Sequence, residues 1–252
     1  MNTSSPHIEI GFVVAMKEEA DVLAKALGLM PEASPLIGYN TYMDAQRTIV
    51  MLTPGNDERY FFNGQPLSRV GKVSAGIVTT ILLEKYHPKM IINCGTAGGI
   101  GGFTRVGDII VADAVTNHDM RFPFTSYTQW SERKILLKHA QKLTSLKHLF
   151  KMGTVSSAES FTPLSEEWKS IEKSGAIAKD MEAAGVLQAL EILNDTTPCY
   201  IVKAITDVVT KETAESIASE DFINNFTLAM YNLVEFVKEM VEKKETLCSR
   251  YL

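Results

Sequence analysis

Short apolar runs alternate with amphipathic stretches along most of this chain. The first run, residues 8–15, is rich in β-branched residues and predicts a buried strand. Residues 16–27 carry apolar side chains at helical spacing with acidic residues in the first turn, and Gly28 ends this predicted helix. The same patterns predict further strands at 47–53, 90–94, 107–115, 150–156 and 200–205, and further helices at 74–84, 132–147, 182–193 and 219–245.

This alternation of strands and helices predicts the fold class. It indicates an α/β protein with a central, mixed, mostly parallel twisted sheet that is flanked by helices. The length of 252 residues fits one large domain, and no internal repeat or linker divides the chain. We expect residues 1–7 to be a disordered leader and residues 8–252 to form a single catalytic domain.

Composition narrows the possible partners. The net charge of -5 argues against nucleic acid, because binding phosphates requires an excess of Lys and Arg on one face. The three cysteines show no CxxC spacing, so neither a disulfide framework nor a zinc site is predicted. Without a signal-like leader or an apolar run of about 18 residues, no membrane partner is predicted, and we expect a cytoplasmic protein.

Carboxylates cluster at the predicted strand ends. In parallel sheets, ligands bind beyond the carboxyl ends of the strands. Five segments lie at such ends: 16–19, 95–99, 156–161, 180–182 and 206–207. All of them except 95–99 carry acidic residues. Each of the three residues Glu19, Glu182 and Asp207, taken singly, could also have a purely structural role at the start of a helix.

Other candidate motifs are weaker. The glycine-rich stretch 95–102 is not followed by a helix, which disfavours a dinucleotide loop and leaves a turn or a close approach to a flat ligand. The pair His118-Asp119 could line a site or hydrogen-bond locally, and Ser156-Ser157 shows no evident His base. No metal cluster is predicted, because no other His supports one.

The motifs in this order resemble the purine nucleoside phosphorylase/uridine phosphorylase superfamily. They are more closely similar to the 5′-methylthioadenosine/S-adenosylhomocysteine nucleosidases, and residues 53–57 and 121–123 resemble the plant-type branch. The insertion at 57–67, Lys203 in place of Arg and Thr206 in place of Ser depart from the usual pattern. The motifs that carry the resemblance are AMKEE at 15–19, VGKV at 70–73, IINCGTAGG at 91–99, GD at 107–108, DMEA at 180–183 and KAITD at 203–207.

This resemblance implies an enzyme without metal or organic cofactor that hydrolyses the N-glycosidic bond of a purine nucleoside. The substrate would be 5′-methylthioadenosine, with S-adenosylhomocysteine and adenosine left open. Asp207 would protonate the leaving purine and Glu19 would activate water, which suits a transition state that needs one acid and one base. The implied substrate-binding residues are Met16, Thr96, Ala97, Gly98, Phe161, Asp180, Met181, Glu182 and Thr206.

Three other interpretations remain. The first is a phosphorylase that uses inorganic phosphate, although Asn93 stands where similar phosphorylases carry an Arg. The second is a non-catalytic nucleoside-binding protein, and the third is a dinucleotide-dependent oxidoreductase. The aromatic run at 122–127 would be difficult for a lone subunit to cover, so we expect a homodimer.

Overall fold

The computed structural model describes residues 7–33, 38–62, 64–211 and 219–249. Of the leader expected at 1–7, all but the last residue lies outside the described residues. The strands are β1 Ile10–Val13, β2 Met30–Glu32, β3 Asn40–Met43, β4 Ile49–Thr53, β5 Asn56–Phe62, β6 Gln65–Ser68, β7 Met90–Ile100, β8 Ile109–Asn117, β9 Ile135–Leu136, β10 Lys151–Ser157, β11 Ala176–Asp180 and β12 Cys199–Val209. The helices are α1 Lys17–Leu27, α2 Lys72–Tyr86, α3 Thr125–Ser131, α4 Ser165–Ser174, α5 Ala183–Ile192, α6 Ser219–Glu242 and α7 Lys244–Cys248, with a 3-10 helix at Lys138–Ser145.

Ten strands form one mixed sheet in the order β11-β10-β8-β12-β7-β1-β4-β3-β2, and β9 pairs with β8. The strands β4, β1, β7 and β12 run parallel to one another, and so do β8, β10 and β11. β12 and β8 are antiparallel, and β11 also pairs with β7. The predicted α/β fold with a mixed, mostly parallel sheet is therefore confirmed.

Most of the glycine-rich stretch is strand, and the turn that we considered there is confined to Gly101 and Gly102, the second of which has a φ of 86°. β7 continues from Met90 through the glycines to Ile100, with β12 paired along one edge. Glycines suit this position because neighbouring side chains approach the backbone closely. A Cβ on Gly99 would lie 2.1 Å from the Thr104 hydroxyl oxygen. The strand therefore forms a bare backbone surface rather than a phosphate-binding loop.

The structure differs from the prediction in two other segments. In place of the helix expected at 132–147, a turn follows α3, and the short strand β9 and the 3-10 helix come after it. The run Ile135-Leu136-Leu137 is apolar without helical spacing, and β9 pairs with β8 instead. The 57–67 insertion, for which the sequence predicted no helix or strand, lies in a β-hairpin in which β5 pairs only with β6 among the described strands.

The helices α2 and α5 pack closely against each other because small residues line their contact. A Cβ on Gly185 would lie 2.0 Å from the carbonyl oxygen of Lys72, and a Cβ on Gly76 would lie 3.2 Å from that of Gly185. This close approach brings the N-terminus of α2 next to the N-terminus of α5. The Gly71 N–H, just before α2, donates a hydrogen bond to Glu182, just before α5. Among the described residues, no helix is long and apolar enough to cross a membrane.

Candidate active site

A cavity of about 630 Å³ opens where β1 ends beside β7, β11 and β12. Its walls are mostly apolar, with a few carboxylates among them. All the residues predicted for the site line this one cavity: Met16, Glu19, Thr96, Ala97, Gly98, Phe161, Asp180, Met181, Glu182, Thr206 and Asp207. Thr96–Gly98 and Thr206–Asp207 lie inside long strands, however, rather than just after strand ends as we expected.

Glu19 occupies the start of α1 and is 2% exposed. Its Oε1 accepts hydrogen bonds from the Thr96 backbone N–H at 2.6 Å and the Thr96 hydroxyl at 2.7 Å, and its Oε2 accepts one from the Met16 N–H at 3.3 Å. The Thr96 N–H is available because β1 pairs with β7 only as far as Asn93. Burial raises the pKa of Glu19, and the Thr96 bonds partly oppose this increase. The result is a fixed, buried carboxylate that can accept a proton.

Asp207 enters the cavity from β12. The register between β12 and β7 shifts between Ile205 and Asp207, so Thr206 is an extra residue on the β12 side. Such a bulge redirects side chains. The Thr206 hydroxyl donates to Asp207 Oδ1 at 2.8 Å, while Asp207 Oδ2 is buried and has no hydrogen-bond partner among the described residues. Burial raises the pKa of Asp207, which favours a carboxylic acid with a proton to donate.

Glu182 is the N-cap residue that directly precedes α5, but its side chain makes no capping hydrogen bond. Its Oε1 instead accepts from the Gly71 N–H at 3.3 Å, and its Oε2 lies 3.4 Å from Lys203 Nζ. The interpretation of Glu182 as a simple cap is therefore wrong. Burial raises the pKa of Glu182 to about 7 although Lys203 opposes the increase.

Asp180 caps α5 instead. Its Oδ2 accepts from the Ala183 N–H at 3.0 Å and pairs with Lys203 Nζ at 2.9 Å, and its Oδ1 accepts from the Ser157 hydroxyl. Both oxygens are thus bound by protein groups, and the side chain is fully buried. Burial lowers the pKa of Lys203, but Asp180 and Glu182 outweigh it and raise that pKa above the ordinary value. Asp180 therefore supports the cavity more than it contacts a ligand.

The His118 and Ser156 side chains lie behind the cavity. His118 Nδ1 is 2.9 Å from Ser156 Oγ, so the expectation that Ser156 lacks a histidine partner is wrong. The His118 side chain is 3% exposed, Ser156 is fully buried, and burial lowers the pKa of His118 to about 4. Neither residue lines the cavity. The next residue, Asp119, pairs with Lys72 and accepts from the Glu159 N–H at 2.7 Å, which holds the N-terminus of α2.

Sequence reasoning missed one charged residue of the cavity wall, Lys179, and the apolar residues Phe62, Leu67 and Val70. A signal for Lys179 was present, because a lysine directly follows the short apolar run 176–178 within the strand β11. Phe62 and Leu67 belong to the unexpected hairpin, so nothing in their spacing pointed to the site. Among the described residues, no group of His, Cys, Asp or Glu could hold a metal ion.

Comparison with known proteins gives consistent matches. The model of the phosphorylase superfamily matches residues 9–242. The chain is 26% identical over 248 residues to a 5′-methylthioadenosine/S-adenosylhomocysteine nucleosidase of Oceanobacillus iheyensis, covering 93% of this chain and 99% of that protein. It is 28% identical over 239 residues to a nucleosidase of the same name from Staphylococcus aureus, covering 90% of this chain and 97% of that one.

A solved structure of a similar protein also aligns over nearly the whole length. The Arabidopsis thaliana 5′-methylthioadenosine nucleosidase in apo form superposes with a TM-score of 0.82 and 25% identity, covering 95% of this chain and 96% of that chain. The resemblance seen in the motifs therefore extends to the arrangement of the strands and helices.

Proposed function

Because this chain belongs to the phosphorylase superfamily, we propose that it hydrolyses the N-glycosidic bond of 5′-methylthioadenosine to adenine and the free sugar. S-adenosylhomocysteine and adenosine are further candidate substrates of the same class. The relatives with matching names span nearly the same length, which supports the transfer of this activity. The assignment to the plant-type branch stays a prediction.

The observation that carries this proposal is the pair of buried carboxyl groups that line one cavity, Glu19 from the helix α1 and Asp207 from the strand β12. Cleavage of a glycosidic bond passes through an oxocarbenium-like state, which needs an acid at the leaving group and a base for water on the opposite face. Asp207 Oδ2, which has no hydrogen-bond partner in the described part of the chain, is the group that protonates the purine. Glu19, held by Thr96, accepts the proton of the attacking water. Burial raises the pKa of both groups, as acid–base catalysis near neutral pH requires.

The sugar is held at the junction of α2 and α5. Glu182 accepts from Gly71 with one oxygen and lies at 3.4 Å from Lys203 with the other, so its position is fixed before a ligand arrives. Ribose hydroxyls donate well to such a carboxylate. Phe161, whose side chain is 52% exposed at the cavity mouth, stacks on the purine, and Thr96–Gly98 form the wall against which the nucleoside lies.

The charges of the cavity favour water over phosphate as the nucleophile. A phosphate dianion requires several donors or cations aimed at one point. The Asn93 amide is buried and donates to the Val13 carbonyl at 3.0 Å, and the Lys17 ammonium pairs with Asp21 away from the cavity. Lys203 is occupied by Asp180 and Glu182. Among the described lining residues, Lys179 is the one cation, and its ammonium is bound to a backbone carbonyl.

We further propose that the protein is a homodimer. The aromatic side chains of Phe124, Tyr127 and Trp130 are 66%, 57% and 44% exposed on one segment. Exposed aromatic groups in such number favour a protein partner. The cytoplasmic location expected from the sequence also stays a prediction.

The proposal is tested by adenine release from 5′-methylthioadenosine in phosphate-free buffer, with the sugar product identified by mass. We expect release at the same rate with and without phosphate, and a free sugar as product. Asp195→Asn serves as a matched control for changes at Asp207, because Asp195 lies in a loop outside the cavity, where its side chain accepts from the nearby Thr197 N–H. Release that requires phosphate and yields a sugar 1-phosphate would show a phosphorylase, and binding without release would show a binding protein.

A further inference from the structure

Lys179 is a buried cation in the cavity wall that the steps above do not use. It lies on β11 between the buried residues Ala178 and Asp180, and it is 6% exposed. Burial lowers the pKa of this lysine, while the charges of Asp207 and Asp180 oppose that decrease. An ammonium group is costly to remove from water unless it is paired and hydrogen-bonded. We therefore ask which contacts of the Lys179 ammonium an apolar side chain could not make.

One partner of Lys179 is the segment that carries Phe161. The ammonium donates to the Phe161 carbonyl oxygen at 2.8 Å and lies 4.7 Å from the centre of its ring. Both contacts fix the backbone and the ring of Phe161 together. This aromatic side chain is half exposed at the cavity mouth, so Lys179 anchors it to the sheet.

The other side of Lys179 faces Asp207 across the bare backbone of Gly98. A Cβ placed on Gly98 would lie 3.1 Å from Asp207 Oδ2 and 3.2 Å from Lys179 Cε. Burial raises the pKa of Asp207, and the Thr206 hydroxyl and the Lys179 charge oppose part of this increase. The other ionisable groups that interact with Lys179 are Asp180 beside it on β11 and the neutral, buried His118 behind it.

We propose that Lys179 is a positioning residue, which holds Phe161 against the bound purine and supplies the positive charge that Asp207 faces during proton transfer. It does not touch the breaking bond. Its one side chain keeps the Phe161 ring and the Asp207 carboxyl, which would both contact the purine, in a fixed arrangement. This inference rests on the proposed function.

The test compares Lys179→Met, Lys179→Gln and Lys179→Arg with the parent and with Lys173→Met. Lys173 is a matched control, because its ammonium pairs with Glu132 on the surface. We expect Lys179→Met to raise KM by about tenfold, the scale of one lost charged hydrogen bond. The alkaline limb of the kcat/KM profile reports the acid of the free enzyme. Without the lysine charge, Asp207 keeps its proton to higher pH, so this limb should move to higher pH in both uncharged variants and return in Lys179→Arg.

An alkaline limb that does not move in whichever uncharged variants fold overturns the inference, whether or not KM changes, since loss of a merely structural contact would leave the limb in place. An unchanged KM in a folded Lys179→Met also overturns it. Thermal melting shows which variants fold. Failure of the parent to release adenine refutes the proposed function instead, and adenine affinity measured by calorimetry then judges whether Lys179 anchors Phe161.

Discussion

The substitution Gly95→Ala tests the placement of Glu19 more sharply than removal of Glu19 itself. A Cβ on Gly95 would lie 2.8 Å from Glu19 Oε2, 3.0 Å from Oε1 and 3.1 Å from Cδ. Ordinary contacts begin near 3.4 Å, so the carboxylate must retreat by about half an ångström. Its bonds to Thr96, at 2.6 and 2.7 Å, leave little room for that movement.

The expected loss follows from that displacement. A misplacement of 1 Å costs about 100-fold in rate, so half that distance predicts a decrease in kcat of about tenfold. The free energy of unfolding should fall by less than about 2 kcal/mol, because the tip of one side chain moves while the backbone of β7 stays paired. Adenine release under saturating substrate gives kcat, and thermal melting gives the stability.

A double-mutant cycle with Glu19→Asp separates this effect from general damage to β7. The shorter Asp side chain withdraws the carboxylate from the methyl group that Gly95→Ala introduces. Gly95→Ala should therefore cost little further activity in that background. Interacting residues show this non-additivity, whereas independent changes add. Additive losses, or a kcat for Gly95→Ala equal to that of the parent, would refute the assigned position of Glu19.

Four other predictions follow from the cavity and its surface. Asp207→Asn keeps the shape but removes the proton, so kcat should fall by at least about 100-fold with an unchanged melt, and near-normal turnover would contradict its role. Glu19→Gln should abolish turnover yet keep nucleoside affinity in calorimetry, because water activation acts in the transition state; lost binding with intact folding would make Glu19 a binding residue. The pKa of Glu182 is raised from 4.5 to about 7, so its contribution to stability is present below 4.5 and is lost as pH rises through 7. Melting scans across that range should show a smaller fall for Glu182→Gln than for the parent, and an equal fall would contradict the shift. Sedimentation should show a dimer that Phe124→Glu with Tyr127→Glu dissociates, and an active parent monomer at micromolar concentration would refute the dimer.

The sequence predicted the fold where the periodicity was unambiguous. The runs at 8–15, 107–115 and 200–205 became β1, β8 and β12, because β-branched residues between polar turns form buried strands. The strand predicted at 90–94 is the first half of β7, but prediction failed for its glycine-rich second half. Glycine is a poor strand former in isolation, and only the pairing with β12 and β11 reveals the strand there. Prediction failed again in the hairpin of β5 and β6, whose turn residues indicate a break but not a pairing.

The site was predictable in part for a different reason. Glu19, Glu182 and Asp207 were identified as a group by their places after strands and by the family resemblance, and the structure gathers them around one cavity. The functions of their neighbours depend on contacts that spacing does not encode. Asp180 and Glu182 are two positions apart, yet the first caps α5 and the second reaches Gly71. Lys179 likewise acquires its significance only from Phe161 and Asp207, which lie on other segments.

The central place of β12 in the sheet has a consequence for how the protein is made. This strand lies between β7 and β8, although it is the last of the described strands to leave the ribosome. Until residues 199–209 emerge, the nascent chain holds two long strands with unpaired inner edges, and such edges readily pair with other chains. The same segment delivers Asp207. We therefore expect closure of the sheet and arrival of the proposed acid to occur in one late step of synthesis, and a chain that stops short of β12 to lack that acid and to be prone to aggregate.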